Sequence, residues 1–171
     1  MLKRIACSLA LIAFVSLFSS CFYKLNQASI PPGMKTIRID YFENNAPLVV
    51  NTLSQYFTEQ LKDRIRSQTS LSIVQGEAHA TLTGNIIGYS IAPVSVQSTN
   101  PNTPPIASAS RLTITVNVNF VNQLDKKLNF QSQFSRYADF TGDISSRQQA
   151  LIQTITQQLT EDIFNKAFAN W

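Results

Sequence analysis

The chain has 171 residues, with 14 Lys and Arg against 10 Asp and Glu, a formal net charge of +4 and 44% hydrophobic residues. That length suits one domain with a real core, whereas charged residues, at 14%, fall well below the roughly 25% of an average soluble protein. The polar surface must therefore be mostly Ser, Thr, Asn and Gln, and the charge balance gives no case for a nucleic-acid partner.

Lys3 and Arg4 form a short positive region, followed by an apolar stretch from Ile5 to about Phe18. A transmembrane helix needs about 20 apolar residues, so this stretch reads as a secretory signal. Leu17-Phe18-Ser19-Ser20-Cys21 resembles the lipobox of bacterial lipoproteins, with Phe18 where Leu is usual. Residues 1–20 are therefore expected to be a lipoprotein signal peptide and Cys21 the lipidated residue. Several acyl chains on one cysteine, at about 0.8 kcal/mol per buried methylene, give firm membrane attachment. Phe22, not Asp, follows Cys21, so the inner-membrane retention pattern is missing and the outer membrane is the expected site. Cleavage removes Cys7, leaving no disulfide or thiol in the domain. It also leaves 12 basic against 10 acidic residues, a net charge of +2.

Residues 21–33 read as a lipidated tether ending at Ile30-Pro31-Pro32-Gly33, which blocks regular structure. One α+β domain is expected over 34–171. Lys35 to Phe42 reads as a strand, with Ile37, Ile39 and Tyr41 on one face. Pro47 suits a first helical turn, and Val49, Leu53, Phe57, Leu61 and Ile65 recur at i+4 over a helix from Leu48 to Gln68. Leu71–Val74 is a short strand. Ala78–Ile91 is a longer one, in which Gly84 and Gly88 signal a bulge or bend. Pro93–Ser110, rich in Pro, Ser, Asn and Thr, is a loop. Arg111–Val121 alternates Leu112, Ile114, Val116, Val118 and Phe120 against polar residues. Lys127–Tyr137 pairs with it through a turn at Asn122–Lys126. A second helix from about Ser146 to Ala169 carries the stripe Ile152, Ile155, Leu159 and Ile163. The order β-α-β-β-β-α, with one apolar sheet face and two one-sided helices, predicts a two-layer sandwich.

Catalytic constellations are missing. The mature chain has one histidine, His79, and no cysteine beyond Cys21 to share a metal with it, so a structural role is expected. Gly88-Tyr89-Ser90-Ile91-Ala92 approaches a nucleophile elbow, but a Pro-rich loop follows where the motif needs a helix. No Gly-rich phosphate loop is present. Glu161-Asp162 reads as a solvated pair, and Lys62, Arg64 and Arg66 as cations complementing a helix C-terminus. No enzyme activity, cofactor or metal is expected. Phe164 and Phe168 read as core, while Trp171 has equal claim to a partner contact.

One face of the predicted hairpin stands out. Thr113, Thr115, Asn117, Asn119, Asn129, Gln131, Gln133 and Ser135 are polar and uncharged, where a solvated sheet usually carries Lys and Glu. Such a face can be buried against a polar partner without stranding charge, and the lumen of an outer-membrane β-barrel is polar and sometimes plugged.

Several dispersed segments carry a family resemblance. They are Ser29–Thr36, Tyr41–Asn44, Leu53–Glu59, Arg111–Val116, Phe134–Asp139 and the terminal Glu161–Trp171. Together they resemble the LptE family of lipopolysaccharide-assembly lipoproteins over nearly the whole mature chain. The resemblance implies two helices packed on a mainly antiparallel four-stranded sheet, and a lipid-anchored protein at the periplasmic face of the outer membrane. It also implies a non-enzymatic plug inside an LptD-type β-barrel, which helps that barrel assemble and binds lipopolysaccharide. Lipid A phosphates would want Arg or Lys at a sheet edge or hairpin tip; Arg111, Lys126, Lys127 and Arg136 are the candidates, each with an ordinary solubilising role as the competing reading. A different class of function, an independent lipoprotein binding a small amphiphile or cell-wall component, would need an apolar pocket between helices and sheet.

Overall fold

Three long antiparallel strands carry the fold. In a computed structural model of the chain, residues 30–94 and 109–169 are described. The signal segment, Cys21, most of the expected Pro93–Ser110 loop and Trp171 lie outside the described residues. The elements run β1 (Thr36–Ile39), β2 (Glu43–Asn44), α1 (Leu53–Gln68), β3 (Ser72–Ile73), β4 (Ala80–Val94), β5 (Ala109–Asn122), a 3-10 turn (Lys126–Leu128), β6 (Phe130–Phe140) and α2 (Gln148–Phe168). The sheet order is β3-β1-β4-β5-β6, and β2 continues the β1 side of β4.

The α+β class and the two helices on one apolar sheet face agree with the sequence. The sheet itself departs from the expected four antiparallel strands. Among the described residues it has six strands and is mixed, because β1 pairs parallel with both β3 and β4, and β2 pairs parallel with β4. The connection explains this: a strand that returns to its neighbour through a helix, as β1 does through α1, arrives parallel. Only β4-β5-β6 is an antiparallel meander.

Even-numbered residues of β5 (Leu112, Ile114, Val116, Val118 and Phe120) point into the core. There they meet Leu53, Phe57, Leu61 and Ile65 of α1 and Ile152, Ile155, Leu159 and Ile163 of α2, all buried. Both stripes are those the spacing predicts, with one exception. Val49, expected to head the first stripe, is 63% exposed, and α1 starts at Leu53 rather than beside Pro47. Asn44 holds the intervening segment as a loop: its Oδ1 accepts from the Ala46 N–H, and its Nδ2 donates to the Val50 carbonyl.

The first strand also ends early. Its alternation breaks after Ile39, so Tyr41 is exposed and Phe42 enters the core against Phe57, ring centroids 5.1 Å apart. The Phe42 ring occupies the place of a side chain at Gly84. A Cβ there would lie 2.5 Å from Phe42 Cε1 and 2.1 Å from the Asn117 carbonyl oxygen. The bulge sits further along, between Ile86 and Gly88. It switches the inward parity of β4, so Leu82 and Ile86 before it and Tyr89 after it are all buried.

Chain entry is at the β5–β6 hairpin end. Gly33 approaches Leu124, and Met34 packs by the Asn122 carboxamide, whose Nδ2 lies 3.7 Å from Met34 Sδ. The opposite end holds the Tyr89 hydroxyl, which accepts from Gln148 Nε2 at the start of α2.

Candidate functional site: an uncharged outer sheet face

The face of the sheet turned away from the helices is assembled in rows across the three long strands. The pairings place Thr83, Asn119 and Gln131 in one row, and Asn85, Asn117 and Gln133 in the next. Gly88, Thr115 and Ser135 follow, then Ser90, Thr113 and Tyr137, then Ala92, Arg111 and Asp139. Apart from Tyr137, each side chain in the first four rows is small or carries an amide or hydroxyl. Thr115 and Ser135 hydroxyls lie 3.1 Å apart, and Thr83 Oγ1 donates to the Asn119 carbonyl at 3.5 Å. Charge enters this face of β4–β6 only in the last row, where Arg111 and Asp139 neutralise one another.

Seven of the eight residues assigned to this face from sequence lie on it: Thr113, Thr115, Asn117, Asn119, Gln131, Gln133 and Ser135. Asn129 does not belong. It sits just before β6, and its Oδ1 accepts the Asn122 backbone N–H at 2.7 Å, closing the hairpin. Its role is therefore in the turn. The sequence reading missed the third strand of the surface, Thr81, Thr83, Asn85 and Ser90. Their alternation with Ala80, Leu82 and Ile86 was available as a signal, but the bulge at Gly88 breaks the period before it becomes obvious.

The four candidate cations are not brought together. Lys126 and Lys127 stand exposed on the 3-10 turn, with no acidic partner within 4 Å among the described residues. Arg111 lies eleven residues back from Asn122 along β5, on the order of 36 Å at about 3.3 Å per residue. Its guanidinium donates to both Asp139 oxygens, at 2.7 and 2.9 Å, and covers the Tyr137 ring with Cζ 3.7 Å from the centroid. That pairing holds the Asp139 carboxyl below its ordinary range and raises the Arg111 pKa further. Arg136 is on the other face altogether, beside Ile114 in register. It donates to Asp162 of α2 at 2.5 and 2.6 Å, a bond that raises its pKa and ties the edge strand to the helix.

The remaining polar residues singled out from sequence have local duties. Thr36 Oγ1 lies 2.8 Å from His79 Nδ1 and accepts the His79 N–H at 3.1 Å, stitching β1 to the start of β4. Arg64 crosses from α1 to α2, donating to Thr160 Oγ1 and the Gln157 carbonyl, with Glu161 at 3.9 Å. Lys62 and Arg66 pair with Glu59 and Asp63 one turn away. Ser90 lies inside β4, opposite Thr113, and the strand runs on to Val94. Phe164 and Phe168 are buried and in contact with each other, and Phe168 also meets Phe120. A surface cleft of about 460 Å³ lies between β1, β3 and α1. Arg38, Asp40, Glu59, Lys62 and Arg66 line it, which suits polar rather than apolar contents.

The model of a family described as "LptE: Lipopolysaccharide-assembly" matches residues 34–167. Among solved structures, the fold is similar to a minor lipoprotein from Acinetobacter baumannii at a TM-score of 0.51 and 11% identity, covering 78% of this chain and 91% of that one. It is also similar to a hypothetical protein from Chlamydia trachomatis at a TM-score of 0.52 and 10% identity, covering 80% and 99% respectively. At such identities the likeness is one of fold. A search of the curated proteins finds no match.

Proposed function

Because the chain belongs to the LptE family of lipopolysaccharide-assembly proteins, we propose that it is a non-enzymatic outer-membrane lipoprotein, anchored through Cys21, which plugs an LptD-type β-barrel from the periplasmic side. In that position it helps the barrel assemble and assists lipopolysaccharide on its way to the outer leaflet. The uncharged outer face carries this reading. A surface of Thr, Ser, Asn and Gln on three neighbouring strands keeps hydrogen-bonding capacity, and its burial strands no ionised group. A polar barrel lumen offers the matching donors and acceptors.

We assign lipopolysaccharide contact to Lys126 and Lys127, which are exposed and have no acidic partner within 4 Å among the described residues. Arg111 and Arg136 would first have to give up bidentate carboxylate partners, so they serve this role less well.

A photoreactive residue at Asn117 tests the plug. On mild detergent extraction it should form an ultraviolet-dependent adduct with a large barrel protein, while one at buried Leu159 should not. Recovery of the lipoprotein free of any barrel protein, with no adduct from Asn117, would falsify the reading.

A further inference from the structure

The two edges of the sheet are built differently. One side is broken into β3 and β2, two residues each, and such short strands give little to pair with. The other edge is β6, eleven residues long, without proline, lysine or glycine, and in unbroken register with β5 from Phe130 to Phe140. Among the described residues nothing pairs with its far side.

The backbone groups left over can be identified. At the hairpin end of β5, the Asn122 N–H turns to the β6 side, where Asn129 Oδ1 accepts it, and the Gln123 N–H turns to the β4 side, to the His79 carbonyl. N–H and C=O groups alternate sides along a strand, so even-numbered residues of β5 bond to β6. Their partners Phe130, Ser132, Phe134 and Arg136 therefore spend their backbone groups on β5. Gln131, Gln133 and Ser135 present theirs at the free edge.

Side chains along that edge are graded in the same way. On the helix side, Phe130 and Phe134 are only partly buried, their rings 6.4 Å apart. On the outer side stand Gln131, Gln133 and Ser135, all exposed. Charge returns at Arg136, held by Asp162. An inward charge of this kind discourages further pairing, so it marks the end of the receptive stretch.

We propose that β6, from Phe130 to Ser135, accepts one additional strand from an extended segment of the barrel partner. That segment alternates apolar residues, which cover Phe130 and Phe134, with uncharged polar residues beside Gln131 and Gln133. The inference rests on the barrel-plug reading and adds a main-chain ladder to it, in which backbone bonds give affinity and alternate side chains give specificity.

Proline tests the ladder directly. Because the Gln133 N–H faces the free edge, Gln133→Pro removes a β6 donor to the added strand and none to β5, and proline is tolerated on edges in that orientation. The full-length lipoprotein carrying Gln133→Pro should keep its circular dichroism and capture the barrel protein at least about tenfold more weakly. Gln133→Ala, which retains the N–H, should weaken capture less than about threefold. Hydrogen exchange on the wild-type complex gives a readout independent of the variant, with the amides of Gln131, Gln133 and Ser135 slowed on complex formation. Unslowed amides, or normal capture by Gln133→Pro, would overturn the added strand and leave the plug standing. Failure of the wild type to capture any barrel protein overturns both. Wild-type dimerisation abolished by Gln133→Pro would also overturn it, by assigning the edge to a second copy of the chain.

Discussion

At the scale of single residues, two positions make sharp demands. Gly84 has no room for a methyl group because Phe42 and the Asn117 carbonyl already fill the space. Gly84→Ala should therefore destabilise the protein by about 1–3 kcal/mol, the usual range for overpacking, seen as a lower midpoint in urea. A midpoint at or above wild type would mean that Phe42 swings away freely. Asp139 makes a second demand. Its carboxyl is depressed chiefly by the side-chain hydrogen bonds from Arg111, so the native state binds this proton less readily than the unfolded chain does. The pair's contribution is present above the unfolded Asp value of about 3.9 and is lost as pH falls through the lower folded value. A carbon-detected NMR titration should place Asp139 below the ordinary range, and Arg111→Gln should return it there. An unmoved midpoint in the variant would remove Arg111 as the cause. Neither demand was legible in the sequence, since both depend on contacts between residues far apart in the chain.

At the scale of elements, periodicity carried most of the information. The stripes of α1 and α2 and the alternation of β5 follow from apolar spacing alone, and, Val49 apart, the core they form is the one predicted. Leu159→Ala in α2, fully buried beneath the sheet, should cost about 2–5 kcal/mol by chemical denaturation, while Val49→Ala, on the exposed loop, should change stability by less than about 0.5 kcal/mol. Equal costs at the two positions would restore the longer helix. What spacing could not supply was pairing direction and the point at which a period stops. Parallel pairing of β1 comes from the α1 crossover, and the loop before α1 comes from Asn44 side-chain bonds. The outer face was half legible for a similar reason: β5 and β6 alternate cleanly, whereas the bulge at Gly88 shifts β4 by one residue and conceals its share.

For the molecule as a whole, the separation of the cations decides what can be asked of them. Lys126 and Lys127 share an end with the chain's entry into the fold, Arg111 lies toward the far end, and Arg136 is on the opposite face. Charge reversal at Lys126 and Lys127 should weaken lipopolysaccharide binding about tenfold or more, reduce its salt dependence and leave the melting temperature unchanged. Undiminished affinity would remove the hairpin tip as the phosphate contact. Reversal at Arg136 should instead loosen β6 from α2, because Asp162 loses its partner, and would show as faster exchange in the edge strand.

The β4–β6 meander also sets a reach. β4 alone has fifteen residues, which extend up to about 50 Å at about 3.3 Å each, against a hydrocarbon layer about 30 Å thick. On the proposed reading, a domain standing along its strands with its Ile30 end toward the inner leaflet would have its Tyr89 end past the bilayer midplane. Such a protein could remain attached to the inner leaflet while touching the aqueous mouth on the other side; among the described residues no helix is long and apolar enough to cross the lipid.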